Sequence, residues 1–120
     1  MTAPNLKNPT TITCKTARYA VTGSLANALA NSAASGKVFK INSIFCANVD
    51  ANGNPADITV SIYNGTTDYY LAKTIVVPAN ATQIISSKDT YFYLEEGDSI
   101  RALASAASAL ELVIGYEEIT

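Results

Sequence analysis

Histidine and tryptophan are both absent from the 120 residues. Without histidine, no Ser-His, Cys-His or His-metal arrangement can form within the chain. The only cysteines are Cys14 and Cys46, too few to supply the four nitrogen or sulfur ligands of a structural zinc site. The six glycines are scattered, and Gly36-Lys37-Val38 lacks the rest of a phosphate-binding loop. No apolar run approaches the ~20 residues needed to span a bilayer, and the polar first nine residues hold no signal-peptide core. The expectation is a protein made and used without secretion, with no cofactor and no metal.

Charge is scarce as well. Charged residues make up 15%, against roughly 25% in an average soluble domain. The eight basic residues, Lys7, Lys15, Arg18, Lys37, Lys40, Lys73, Lys88 and Arg101, are spread along the chain under a formal net charge of −2. That distribution argues against a nucleic-acid footprint, which needs clustered cations. Hydrophobic residues reach 48%, enough for a core and incompatible with disorder, which requires high charge and few apolar residues. The length fits one domain. In a reducing compartment Cys14 and Cys46 read as small buried hydrophobes rather than a disulfide. Asn64-Gly-Thr66 and Asn80-Ala-Thr82 match the glycosylation pattern but, without a secretory route, read as surface turns.

What the chain does contain is β patterning. Residues 1–9, with two prolines, read as an extended arm, and residues 10–120 as one β-sandwich domain. Residues 10–21 are Thr-rich and β-branched and read as a strand interrupted near Ala17. Residues 24–31 fit either a strand or a single turn, since Leu25, Ala28 and Leu29 have helical spacing. Residues 37–48 form a long strand in which Phe39 and Ile41 share one face and Ile44 and Cys46 the other; the switch at Asn42-Ser43 suggests a bulge or a bend between sheets. Residues 57–63 alternate, with Ile58, Val60 and Ile62 inward and Thr59 and Ser61 outward. Asn64-Gly65 opens a hairpin, and residues 69–77 return, ended by Pro78. Residues 82–87 and 91–94 are short strands. Ile100, Ala102 and Ala104 line one side of residues 99–105, and Leu110, Leu112, Ile114 and Tyr116 line one side of the last strand, 109–118. About eight short strands with turns every ~8–12 residues predict an all-β, antiparallel, jelly-roll-like sandwich.

Three constellations could carry chemistry. Asp50, Asn52, Asn54 and Asp57 place oxygens at alternate positions, as at the start of a calcium loop. The glycine falls at loop position four instead of six, and position twelve is Ser61 instead of Glu, so a solvated turn is the reading adopted. Glu95, Glu96 and Asp98 share one turn, which exposes carboxylates and does not hold them across a cleft. Tyr69-Tyr70 and Tyr91-Phe92-Tyr93 could stack on carbohydrate or meet another subunit; alternation along a strand predicts that one of each pair is core. No catalytic residue is assigned, and the expectation is a non-enzyme.

A longer pattern remains: Gly36-Lys-Val-Phe-Lys-Ile41, Ala47-Asn48, Asp57-Ile-Thr-Val-Ser-Ile62, Tyr70-Leu-Ala-Lys73, Val77-Pro-Ala79, Tyr93-Leu-Glu-Glu-Gly-Asp98, Ala106-Ala107 and Tyr116-Glu-Glu118. Across residues 10–120 this resembles the small β-sandwich virion proteins of tailed phages, especially those of marine cyanobacteria. The resemblance implies a jelly-roll module of the virion, assembled in the host cytoplasm. It implies a capsid decoration (cement) protein on the outer face of the major capsid protein lattice, or a neck, tail, baseplate or fibre subunit. Such modules often form homo-oligomers, with a trimer favoured. It brings no catalytic residues, and neither nucleic acid nor membrane is an expected partner. A host-glycan-binding module using the tyrosines is the alternative from a different class.

Overall fold

The computed structural model describes residues 4–120, which fold as two stacked antiparallel sheets. The strands in chain order are β1 (Ile12–Ala20), β2 (Ala26–Ala30), β3 (Val38–Asn48), β4 (Ala56–Tyr63), β5 (Asp68–Val77), β6 (Thr82–Ser86), β7 (Phe92–Leu94), β8 (Ser99–Ala104) and β9 (Leu110–Ile119), with a 3-10 turn at Lys88–Thr90 between β6 and β7. Sheet A runs β1-β9-β3-β6, with β7 also on β3; sheet B runs β2-β8-β4-β5. Along β3, β6 pairs with Ile44 to Ala47 and β7 with Phe39 to Ile41. The two are therefore one strand position interrupted by the 3-10 turn, leaving eight positions. Pairing β1 with β9, β2 with β8, β3 with β6 and β7, and β4 with β5 folds the chain back on itself as a rolled hairpin, the jelly-roll order. The chain is an all-β sandwich, as its alternation predicts. Within residues 24–31, Ala26–Ala30 form strand β2, and β1 runs without a break at Ala17.

The core lies between the sheets. Ile58, Val60, Leu110, Leu112 and Ile114 are fully buried, with Ile100, Ala102, Ala104 and Leu94 beside them, and Ile62 packs against the cluster partly buried. Each fully buried aliphatic side chain contributes roughly 1.5–3 kcal/mol by leaving water. Strand β3 departs from the expected reading. The register slips between Ile41 and Ser43 opposite Tyr116 and Gly115, so a bulge does sit at Asn42-Ser43. It does not turn β3 to another sheet, however. The extra residue resets the phase, and Phe39, Ile41, Ile44 and Cys46 all enter the same core, leaving Phe45 outside.

Two buried asparagines tie the layers together at their ends. Asn31, just past β2 in sheet B, donates from Nδ2 to Leu94 O of sheet A at 3.0 Å and to Lys37 O at 2.9 Å. Asn48, the last residue of β3 in sheet A, donates to Val77 O of sheet B and to Asn54 O, both at 3.0 Å. Each carboxamide oxygen is also used, by Ser35 Oγ and by Asp50 N respectively. The last residues of β7 and β5 each leave a buried carbonyl, Leu94 O and Val77 O, and each carboxamide satisfies one of these together with a part-buried loop carbonyl.

Of the arm expected over residues 1–9, residues 1–3 lie outside the described residues. Residues 4–9 precede β1 and include a turn closed by Asn8 N on Asn5 O. Thr10 N and Thr11 N then bond Thr120 O.

Removing a carboxamide strands two carbonyls at once. Asn48→Ala and Asn31→Ala are each expected to cost about 2–4 kcal/mol, measured by urea unfolding, whereas Asn27→Ala on β2 changes stability by less than about 0.5 kcal/mol.

Candidate functional site: the exposed apolar faces

The sequence-selected polar clusters are occupied in holding loops. Asp50 Oδ2 accepts from Asn54 N at 2.9 Å, and Gly53 N bonds Asp50 O. The Asp50 loop is thus closed on itself by an Asx-type contact. Glu96 Oε2 accepts from Gly36 N at 3.0 Å and Asp98 Oδ2 from Glu95 N at 3.2 Å, so two of the three carboxylates in that turn cap backbone amides. Among the described residues no group of three Cys, Asp or Glu side chains comes together. The cysteines differ from the expected buried pair. Cys46 faces the core, where burial pushes its thiol up to about 11, but Cys14 is exposed on β1; both are free.

The tyrosines also depart from expectation. Phe92 packs on the core between exposed Tyr91 and Tyr93, as alternation requires. Tyr69 and Tyr70, in contrast, are both exposed, at 62% and 49%. The reason is position: β5 is the outer strand of sheet B, so even its inward side chains have a neighbour on one flank only. Leu71, Ile75 and Val76 are exposed on the same strand. Two register slips against β4 interrupt it, and at one of them Thr74 adopts φ +49° while its N–H bonds Thr59 Oγ1 at 3.0 Å. Bulges of this kind blunt an open edge against strand addition. Exposed apolar side chains on β5 thus form a surface suited to side-chain contact.

A second apolar surface lies on the outer face of sheet A. Arg18 on β1 pairs with Val113 on β9, Val113 with Phe45 on β3, and Phe45 with Ile84 on β6. These four make one row across the whole sheet, and Phe45, Val113 and Ile84 are exposed at 38%, 42% and 55%. Four residues along β9, a parallel row runs Cys14, Glu117, Lys40, Tyr93. Lys40 Nζ sits 4.5 Å over the Tyr91 ring, and Tyr91 meets Tyr93 edge-on. Apolar residues scattered singly over a surface are ordinary; a contiguous row across a sheet makes this face a candidate site.

At the far end of β9, Glu118 takes Lys37 Nζ at 2.6 Å and Lys15 Nζ at 3.0 Å. The hydrogen bond from Lys37, and then that from Lys15, hold the Glu118 carboxyl below its ordinary range against the opposing effect of burial. Glu118 raises Lys15 in return.

The sequence matches no known protein-family model and no curated protein.

A depressed carboxyl stabilises the fold above its unfolded pKa near 4.5 and loses that contribution as pH falls through the lower folded value. The raised Lys15 contribution is present below 10.5 and fades as pH rises above it. Glu118→Gln is therefore expected to melt lower than the parent at neutral pH, with the two melting curves converging below the carboxylate range. Thiol titration should find Cys14 reactive in the native protein and Cys46 reactive only after unfolding, because the thiolate is the reacting form and burial disfavours it.

Proposed function

We propose that this chain is a non-enzymatic structural subunit of a tailed-phage particle, a decoration protein seated on the outer face of the major capsid protein lattice. The observation that carries the reading is the apolar surface outside the core, on the outer face of sheet A and along β5. A low-charge sandwich with two such surfaces is built to be covered by protein. The extended sequence resemblance across residues 10–120 supplies the particle, and the jelly-roll strand order is an architecture that capsid domains use. In this reading the partners are the major capsid protein and further copies of the same chain, and residues 1–9 lie across a neighbouring subunit.

Two observations keep other assignments in view. The same surfaces serve a neck, tail, baseplate or fibre subunit equally well. Adjacent exposed Tyr69 and Tyr70, the latter with Lys73 Nζ 4.9 Å over its ring, favour a host-glycan module as the reading of a different class.

Copy counting by mass spectrometry on purified particles separates these. Decoration is expected to give hundreds of copies per particle and a tail position a dozen or fewer; absence from particles removes the virion assignment. Deleting residues 1–9 is expected to lower occupancy while the melting temperature stays unchanged. Glycan-array binding lost in Tyr69→Ala would replace the assignment with the carbohydrate one.

A further inference from the structure

We infer that the outer face of sheet A is self-complementary and joins two copies of this chain across a two-fold axis running along the strands between β9 and β3. The strands of this face lie in the order β1-β9-β3-β6. A two-fold axis along its midline sets β1 of one copy against β6 of the other, and β9 against β3. Such an isologous contact requires that whatever protrudes on one half meets a hollow on the other.

The face has that property in shape. Between β1 and β9 lies a hollow of about 290 Å³ lined by Arg18, Ala20, Glu111 and Val113 together with the backbone strands that carry them. On the opposite half, in the same cross-strand row as Arg18 and Val113, stands Ile84, the most exposed side chain of that row's apolar trio. The axis sets Ile84 of each copy against Arg18 at the rim of the other's hollow, beside the space that Ala20 leaves open, and places Val113 against Phe45. Gly115 has no side chain and its partner Ser43 a small one, so the pair between the Phe45 row and the Lys40 row puts little bulk on the midline.

Charge agrees with shape. Glu117 and Lys40 are neighbours in one row, on β9 and β3. The axis sets Glu117 of each copy against Lys40 of the other, giving two opposite-charge pairs. Within one copy the two do not form an ion pair: Glu117 takes Asn42 Nδ2 at 2.9 Å, and Lys40 rests on Tyr91. The extent is sufficient. Four strands ~4.8 Å apart and some nine residues at ~3.4 Å each give roughly 600 Å² per copy, about 1,200 Å² in total, above the ~1,000 Å² expected of a specific contact.

The inference goes beyond the virion reading and does not depend on it: a protein that pairs in solution but is missing from particles refutes only that reading. The test is sedimentation equilibrium of the whole chain with charge reversals. The parent is expected to form a reversible dimer. Lys40→Glu alone, or Glu117→Lys alone, is expected to weaken it by about tenfold or more, and the double reversal to restore it to within about threefold. Ile84→Asp, at an exposed position, is expected to abolish the dimer with the far-UV circular-dichroism spectrum of the folded protein unchanged and the melting temperature no longer rising with protein concentration. In the parent, alkylation of Cys14 should slow as protein concentration rises, because the axis sets Cys14 against Tyr93 of the second copy. A parent that stays monomeric up to its solubility limit would overturn the inference. So would an oligomer of any size indifferent to both reversals, or a double reversal that fails to restore pairing.

Discussion

The structure depends on the phase of one strand. β3 crosses the middle of sheet A for eleven residues, with β9 on one flank and β6 and β7 on the other. Its core residues fall at 39, 41, 44 and 46, a spacing that strict alternation would send to opposite faces. A single extra residue opposite Gly115 absorbs the slip. All four then enter the core, which costs one unpaired ladder position and gains several kcal/mol of burial. A Cβ at position 115 would come within 3.0 Å of Ser43 Oγ, so the bulge is matched by a residue with nothing to clash.

Two further features follow from that reset. Phe45 is turned outward into register with Val113, and a second register shift, against β6 between Ile44 and Phe45, sets Ile84 opposite Phe45 in the same outer row. Asn48 is delivered at the end of β3 with its carboxamide over Val77 of the other sheet. The same shift thus sets the core, the tie between layers and the outward turn of Phe45. In sheet B the outward polar positions of β4 are enclosed instead. Ser61 Oγ donates to Asp68 Oδ1, Arg101 reaches the other oxygen of Asp68 at 3.4 Å, and Arg101 lies 4.3 Å over the Tyr63 ring. Thr59 and Ser61 point away from the core as their alternation requires, yet both are buried by this cluster and by the β5 bulge.

Where a strand has the core on one face and no irregularity, its residues announce it. β4, β8 and β9 are legible from Ile58, Val60, Ile100, Ala102, Leu110, Leu112 and Ile114, because period-two burial is a local property. β2 was ambiguous because alanine and asparagine carry little preference that survives tertiary packing. The bulge in β3 could be located at Asn42-Ser43, but its outcome could not, since a phase reset and a crossing between sheets leave the same pattern. Exposure of both Tyr69 and Tyr70 was illegible because lying at a sheet edge depends on strand order. The candidate surface was illegible for the same reason: Arg18, Phe45, Ile84 and Val113 are distant in sequence, and only the register of four strands aligns them. Nor does the sequence distinguish exposed Cys14 from buried Cys46.

Phe39 and Phe45 make the phase measurable. They are chemically identical, six residues apart on one strand, and would share a face in a regular strand; here Phe39 is 6% exposed and Phe45 38%. Hydroxyl-radical footprinting of dilute protein, read residue by residue, tests this directly. Oxidation is expected at Phe45 with Phe39 spared, and equal labelling of the two would contradict the account.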